Sequence, residues 1–178
     1  MNDVAGRLCT VELYKEALKF SAAHFTLFSP TRRERLHGHD FFVSCALTAP
    51  VGPGGLIADY TGLKRALRRM CDAWDEALLL PGASPWLGIE AGGAFVYATF
   101  DGLRMPFVAE EVRVLPVANI TLEALAGLFL DALIEGDGLS GVAELRRLVV
   151  KVSAGPGQSA QVVWEGAPAA RWEGGPSW

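Results

Sequence analysis

The alternation of hydrophobic and polar positions changes period several times along the chain, and each change predicts an element. Residues 8–28 (LCTVELYKEALKFSAAHFTLF) open on a strand-like pattern and continue into a hydrophobic run. Pro30 to Arg35 is a polar, arginine-rich loop. Residues 37–48 (HGHDFFVSCALT) are rich in aromatic and β-branched side chains, which predicts the return strand of a hairpin. The run from Pro50 to Gly55 predicts a turn. Asp59 or Thr61 then caps a helix in which Leu63, Leu67, Met70, Cys71 and Trp74 recur at helical spacing. That helix is expected to reach about Leu79 and to stop before Pro81.

Residues 94–117 predict a β-hairpin turning at Asp101-Gly102, with Val112 to Val117 as a further strand. Thr121, with Glu123 in an acidic first turn, opens a second helix through Leu125, Leu128, Phe129, Ala132 and Leu133. Gly136 to Gly141 ends it, and Leu145 to Val152 and Ala160 to Trp164 are the last strands. The order ββ-α-(β-hairpin)-α-ββ defines an α+β domain over residues 8–165. The segment 166–178, rich in Gly, Pro and Ala, is expected to be a flexible C-terminal tail.

All the histidines of the chain lie at the ends of the first two predicted strands, in FSAAH (20–24) and LHGHDF (36–41). His37 and His39 are two apart, so on an extended strand both point to one face. A third imidazole, from His24 on a neighbouring strand, completes a three-nitrogen facial set. Catalytic zinc favours such a set because the fourth tetrahedral position stays open for water or substrate. The plainer alternative is two surface histidines and one buried one.

Composition narrows the class. With 178 residues, 51% hydrophobic and 20% charged, and a net charge of −4, the chain reads as one globular domain with a substantial core. A nucleic-acid binder usually carries a basic surplus, and this chain does not. No apolar run is long enough for a membrane span and the first residues lack a signal-peptide profile, so the cytoplasm is the expected location. Cys9, Cys45 and Cys71 form no C-x-x-C pair and suggest neither a disulfide framework nor a thiolate site.

The stretches FSAAH (20–24), LHGHDF (36–41), GLIADYTGLK (55–64), WDEALLLP (74–81), NITLEALA (119–126) and PGQSAQV (156–162), in this order, resemble the 6-pyruvoyl-tetrahydropterin synthase / 6-carboxy-tetrahydropterin synthase family. The resemblance implies the tunnelling fold, an antiparallel sheet with helices on one face, assembled as a homo-trimer or homo-hexamer. It implies a pterin substrate at a subunit interface, and Zn2+ on the residues that match the family's ligands, His24, His37 and His39.

Other family positions have changed. The usual cysteine four residues before the first histidine of H-G-H is Arg33, and the family's Asp-His pair falls on Asp75-Glu76. The pterin-anchoring glutamate aligns with Ala154. Some members place a glutamate near the missing cysteine, and Glu34 occupies that place here. The resemblance therefore implies proton transfer by Asp75, Glu76 and Glu34, and substrate contacts from Thr121 and Glu123, which match a T-x-E motif that helix capping also explains. Arg33, with Arg32 and Arg35, suits a phosphorylated substrate, although a solvated loop would look the same. Two readings follow: a zinc-dependent lyase on a dihydroneopterin-phosphate-like substrate with carboxylates in place of thiol and imidazole, or a zinc-binding scaffold without turnover. The long hairpin at 94–117 also resembles a branch associated with methanopterin-type pathways.

Overall fold

The computed structural model describes residues 5–142 and 144–166. The tail expected beyond residue 166 therefore lies outside the described residues. The first two long strands, β1 (Leu8–His24) and β4 (His37–Pro50), pair antiparallel along nearly their whole length. Between them sit two short strands, β2 (Leu27–Ser29) and β3 (Arg32–Arg33), which pair with each other. β4 alternates strictly, and Phe41, Val43, Cys45, Leu47 and Ala49 all point into the core.

β1 cannot alternate so simply. Tyr14 faces Ser44 while Lys19 faces Phe42, so five steps along β1 match two along β4. This bulge changes which residues point inward, from Leu13 before it to Leu18, Phe20, Ala22 and His24 after it. It is the bulge that turns His24 to the same face as His37 and His39.

Helix α1 (Thr61–Trp74) and helix α2 (Leu122–Glu135) cover that inward face. Leu63, Leu67, Cys71 and Trp74 of α1 join Leu125, Phe129 and Leu133 of α2 in the main core. An aromatic knot holds helices to sheet, with Phe20 stacked on Phe41 at 5.0 Å and Trp74 edge-on to Phe129 at 5.0 Å. Thr121 caps α2 through its hydroxyl, which accepts from the Ala124 N–H. The α1 N-cap is Tyr60, without a side-chain cap bond, and Asp59 accepts from the Thr61 N–H.

α1 ends earlier than its hydrophobic pattern predicts. Asp75 leaves the helix in an extended conformation, Glu76 takes a positive φ of 56°, and Ala77–Pro81 form strand β5. Every residue of β5 is buried. Ala77 and Leu79 enter the main core while Leu78 and Leu80 enter a second one, so both faces are covered. A strand buried on both faces is apolar throughout, and such a short run does not distinguish strand from helix.

β5 joins β1 and β9 (Val112–Leu115) in parallel, while β10 (Arg147–Ala154) and β11 (Ser159–Glu165) add on the β4 side antiparallel. The expected antiparallel sheet is thus the four strands β11-β10-β4-β1 of a six-stranded one, in the order β11-β10-β4-β1-β5-β9, with two parallel strands added at the other edge. The inserted segment forms a separate three-stranded sheet of β6 (Gly88–Gly92), β7 (Phe95–Phe100) and β8 (Leu103–Val108), packed on the second core. Asp101 and Gly102 both take positive φ, 48° and 74°, which a two-residue type I′ turn requires. No helix among the described residues is long and apolar enough to cross a membrane.

Candidate functional site

His24, the last residue of β1, lies directly across from His37, the first residue of β4, and Ala22 lies across from His39. The three rings converge, with centroids 4.7 to 5.4 Å apart. One ligand nitrogen from each falls within 4.8 Å of the other two. Nε2 of His37 and Nε2 of His39 are 3.1 Å apart. Two nitrogens bound to one tetrahedral zinc at about 2.05 Å would be separated by about 3.3 Å, so this spacing suits a shared ion.

Backbone carbonyls set the tautomers. His37 Nδ1 sits 2.8 Å from the Arg35 carbonyl and His24 Nδ1 sits 3.3 Å from the Ile120 carbonyl. A carbonyl only accepts, so both Nδ1 atoms carry protons and both Nε2 lone pairs are turned to the cluster. Such outer bonds are the usual way to orient a metal-bound imidazole. Nε2 of His24 is buried and has no hydrogen-bond partner among the described residues. An orphaned buried polar atom costs about 1–3 kcal/mol, and a metal bond would satisfy it. Burial, then the neighbouring His37 and His39, lower the His24 pKa to about 4, so this imidazole stays neutral and able to ligate. The residues fit zinc.

Glu34 shares the histidines' cavity, a pocket of about 200 Å³ that is also lined by Thr26, Phe41, Ile120, Thr121, Glu123, Ala154 and Gln158. Partial burial pushes the Glu34 pKa up, but bonds from Thr26 and the nearby His37 and His24 outweigh it, and the carboxyl is held below its ordinary value. The structure therefore brings together His24, His37, His39, Glu34, Thr121 and Glu123 within one chain.

It does not bring Asp75, Glu76 or Arg33 there. Asp75 is exposed at the end of α1, where Oδ1 accepts from the Ser21 N–H at 2.7 Å. Glu76 donates its N–H to the Ser21 carbonyl at 2.7 Å and lines a second cavity of about 580 Å³ with Asp40, Phe107 and Glu111, which of the three histidines only His39 borders. Its chain direction explains this, since Ser21 alternates with the inward Phe20 and Ala22 and so faces the other side of the sheet. The Arg33 guanidinium turns away from the histidines, onto Phe25 and Phe100. Two contributors carried no sequence signal, the Arg35 carbonyl and the Thr26 amide, while the Ile120 carbonyl lies inside NITLEALA. Asn119 did carry one, inside NITLEALA; its side chain brackets Leu27 and accepts from the Ile120 N–H, which fixes the carbonyl that holds His24.

A sheet covered by two helices on one face thus carries, at its strand ends, an open three-imidazole cluster that could hold a metal ion. The family model for 6-pyruvoyl tetrahydropterin synthase matches residues 12–163, and the chain belongs to that family. A Methanocaldococcus jannaschii protein assigned as 6-carboxy-5,6,7,8-tetrahydropterin synthase is 26% identical over 144 residues, 80% of this chain and 88% of that one. The crystal structure of Plasmodium vivax 6-pyruvoyl tetrahydropterin synthase superposes with a TM-score of 0.83 at 26% identity, covering 89% of this chain and 99% of that chain. Two further structures of that enzyme, each with a TM-score of 0.83 at 25% identity and the same coverage, are variants in which a glutamate described as a catalytic residue is replaced by alanine or cysteine. The fold is the tunnelling fold of these relatives.

Proposed function

We propose that this chain is a zinc-dependent lyase acting on a dihydroneopterin-phosphate-like pterin, with Glu34 as the proton-transfer group. The observation that carries the reading is Glu34 itself, whose carboxylate lines the same small cavity as the three imidazoles. The glutamate described as a catalytic residue in the Plasmodium vivax relative supports a carboxylate in this role.

His24, His37 and His39 would hold the zinc, which as a Lewis acid polarises an oxygen of the substrate side chain. Glu34, with its lowered pKa, is ionised at neutral pH and takes the proton from the adjacent carbon as general base. The electron pair of that C–H bond expels the phosphate from the neighbouring carbon as the C–O bond breaks. Protonated Glu34 returns its proton to the resulting enol, which becomes the ketone. The two Thr26 bonds keep the carboxylate aimed while this happens. Phe41 and Ile120 line the cavity and exclude water from the proton's path. Glu123, in the first turn of α2 beside Ala154, offers the carboxylate that the last strand pair lacks and accepts from the N–H groups on the pterin edge, with Thr121 beside it.

Asp75 and Glu76 serve this chemistry from a neighbouring copy, as expected of a site at a subunit interface. The sheet supports assembly, because its face away from the helices carries an open cavity of about 690 Å³ and its outer strands leave unpaired edges. Closure into a trimeric or hexameric barrel in the cytoplasm removes both. The test is turnover of Glu34→Gln, Asp75→Asn and Glu76→Gln at measured zinc content. Mixed Glu34→Gln and Asp75→Asn subunits should recover activity that neither has alone. Full activity of Glu34→Gln with zinc bound would overturn the role given to Glu34.

A further inference from the structure

We infer that Arg33 is a positioning residue for Glu34, and that the inserted three-stranded sheet acts on the site through it. The inference rests on the reading of Glu34 as the proton-transfer group. Arg33 falls where the family resemblance places its usual cysteine, and it does not line the histidine cavity. Its Nη1–H donates to the Glu34 carbonyl at 2.7 Å, and its Nη2–H points to Met105 Sδ at 3.3 Å. The guanidinium carbon lies 4.7 Å from the Phe25 ring centroid and 5.8 Å from that of Phe100. It ion-pairs with no carboxylate among the described residues.

Each partner has a place in the chain of contacts. Phe25 immediately follows His24, whereas Phe100 and Met105 belong to β7 and β8. Phe25 and Phe100 are buried in the second core, so the guanidinium plane rests on a fixed surface. From there it holds the Glu34 carbonyl, while the Glu34 N–H is held by the Thr26 carbonyl. With both peptide groups of Glu34 held, its backbone torsions are set and the side chain is delivered to the Thr26 N–H and the cavity. Arginine suits this task because one rigid planar fork stacks and donates in two fixed directions at once; a lysine ammonium donates but has no plane to stack and no fixed fork to aim its bonds.

The test uses the zinc-loaded, full-length protein with Arg33→Met, which keeps the bulk, and Arg33→Lys, which keeps the charge. Met105→Ala weakens the clamp from the hairpin side without touching the Glu34 loop. Zinc content should be unchanged in all three. Amide exchange at Thr26 and Glu34 should quicken by about tenfold or more in both Arg33 variants, with a smaller change in Met105→Ala and none in α1 or α2. Turnover should show kcat down by about tenfold or more with KM within about twofold, the pattern of a displaced proton-transfer group. Wild-type exchange at Thr26 and Glu34 in Arg33→Met and Arg33→Lys would overturn the clamp. Equal loss in kcat and zinc would also overturn it, since Arg33 would then support the ligands. If Glu34→Gln keeps its turnover, the role of Glu34 falls while the exchange rates still decide the clamp.

Discussion

Thr26 and Glu34 bond each other twice. The Thr26 N–H donates to Glu34 Oε2 at 2.9 Å, and the Glu34 N–H donates to the Thr26 carbonyl at 2.9 Å. This reciprocal pair closes the loop between His24 and His37 and fixes a carboxylate beside the three imidazoles.

Stability and activity should therefore separate at Glu34. Glu34→Ala leaves the half-buried Thr26 N–H without its acceptor and should cost about 0.5–1.5 kcal/mol in a denaturant titration. Glu34→Gln retains an acceptor oxygen and should cost less. Both should lower kcat by about a hundredfold or more, the scale of a lost general acid or base.

The metal-free protein should lose stability in acid because of His24. Its pKa is 6.5 when unperturbed and about 4 in the fold. Between those values the unfolded chain binds a proton that the folded chain refuses. Stability is therefore complete above pH 6.5 and falls as the pH drops toward 4, by roughly 3 kcal/mol for this group. Denaturant midpoints at pH 7 and pH 5 should capture about 2 kcal/mol of it, and His24→Gln should flatten the slope. About one zinc per chain should bind and oppose the loss, and His37→Ala with His39→Ala should abolish binding in metal analysis.

Thiol chemistry should be irrelevant to turnover. Burial raises the Cys45 and Cys71 thiols to a pKa of about 12, which leaves them almost entirely protonated at pH 8. Iodoacetamide on the native protein should modify Cys9 alone, as read by peptide mass, and leave the rate unchanged. Alkylation that abolishes turnover would return the proton-transfer role to a thiol.

Much of this was legible in the residues because the controlling physics is local. The H-x-H spacing on a strand put His37 and His39 on one face, Asp101-Gly102 predicted its turn, and Thr121 predicted its cap. Three features depend on tertiary context and were not legible. The β1 bulge spans Lys15 to Leu18 with no glycine or proline to mark it, yet it decides the face of His24. Ala77 to Leu80 continue the apolar pattern of α1 but are a strand because two cores cover them. Arg33 suits either a phosphate contact or a solvated loop by sequence alone, and its contacts with Phe100 and Met105 come from strands far away in the chain.

Assembly is tested by light scattering at micromolar concentration, where a trimer or hexamer is expected. A stable monomer would leave the bare sheet face exposed and would separate Asp75 and Glu76 from the chemistry altogether.

The central claim is that the zinc-loaded chain converts a pterin. Zinc-loaded and zinc-stripped protein should be incubated with dihydroneopterin triphosphate and its less phosphorylated forms, and the products read by mass. The account predicts a pterin product with shortened or rearranged side chain from the zinc-loaded protein alone. Unchanged substrates with a fully zinc-loaded oligomer would contradict it, and would make the three histidines a metal site without an attached reaction.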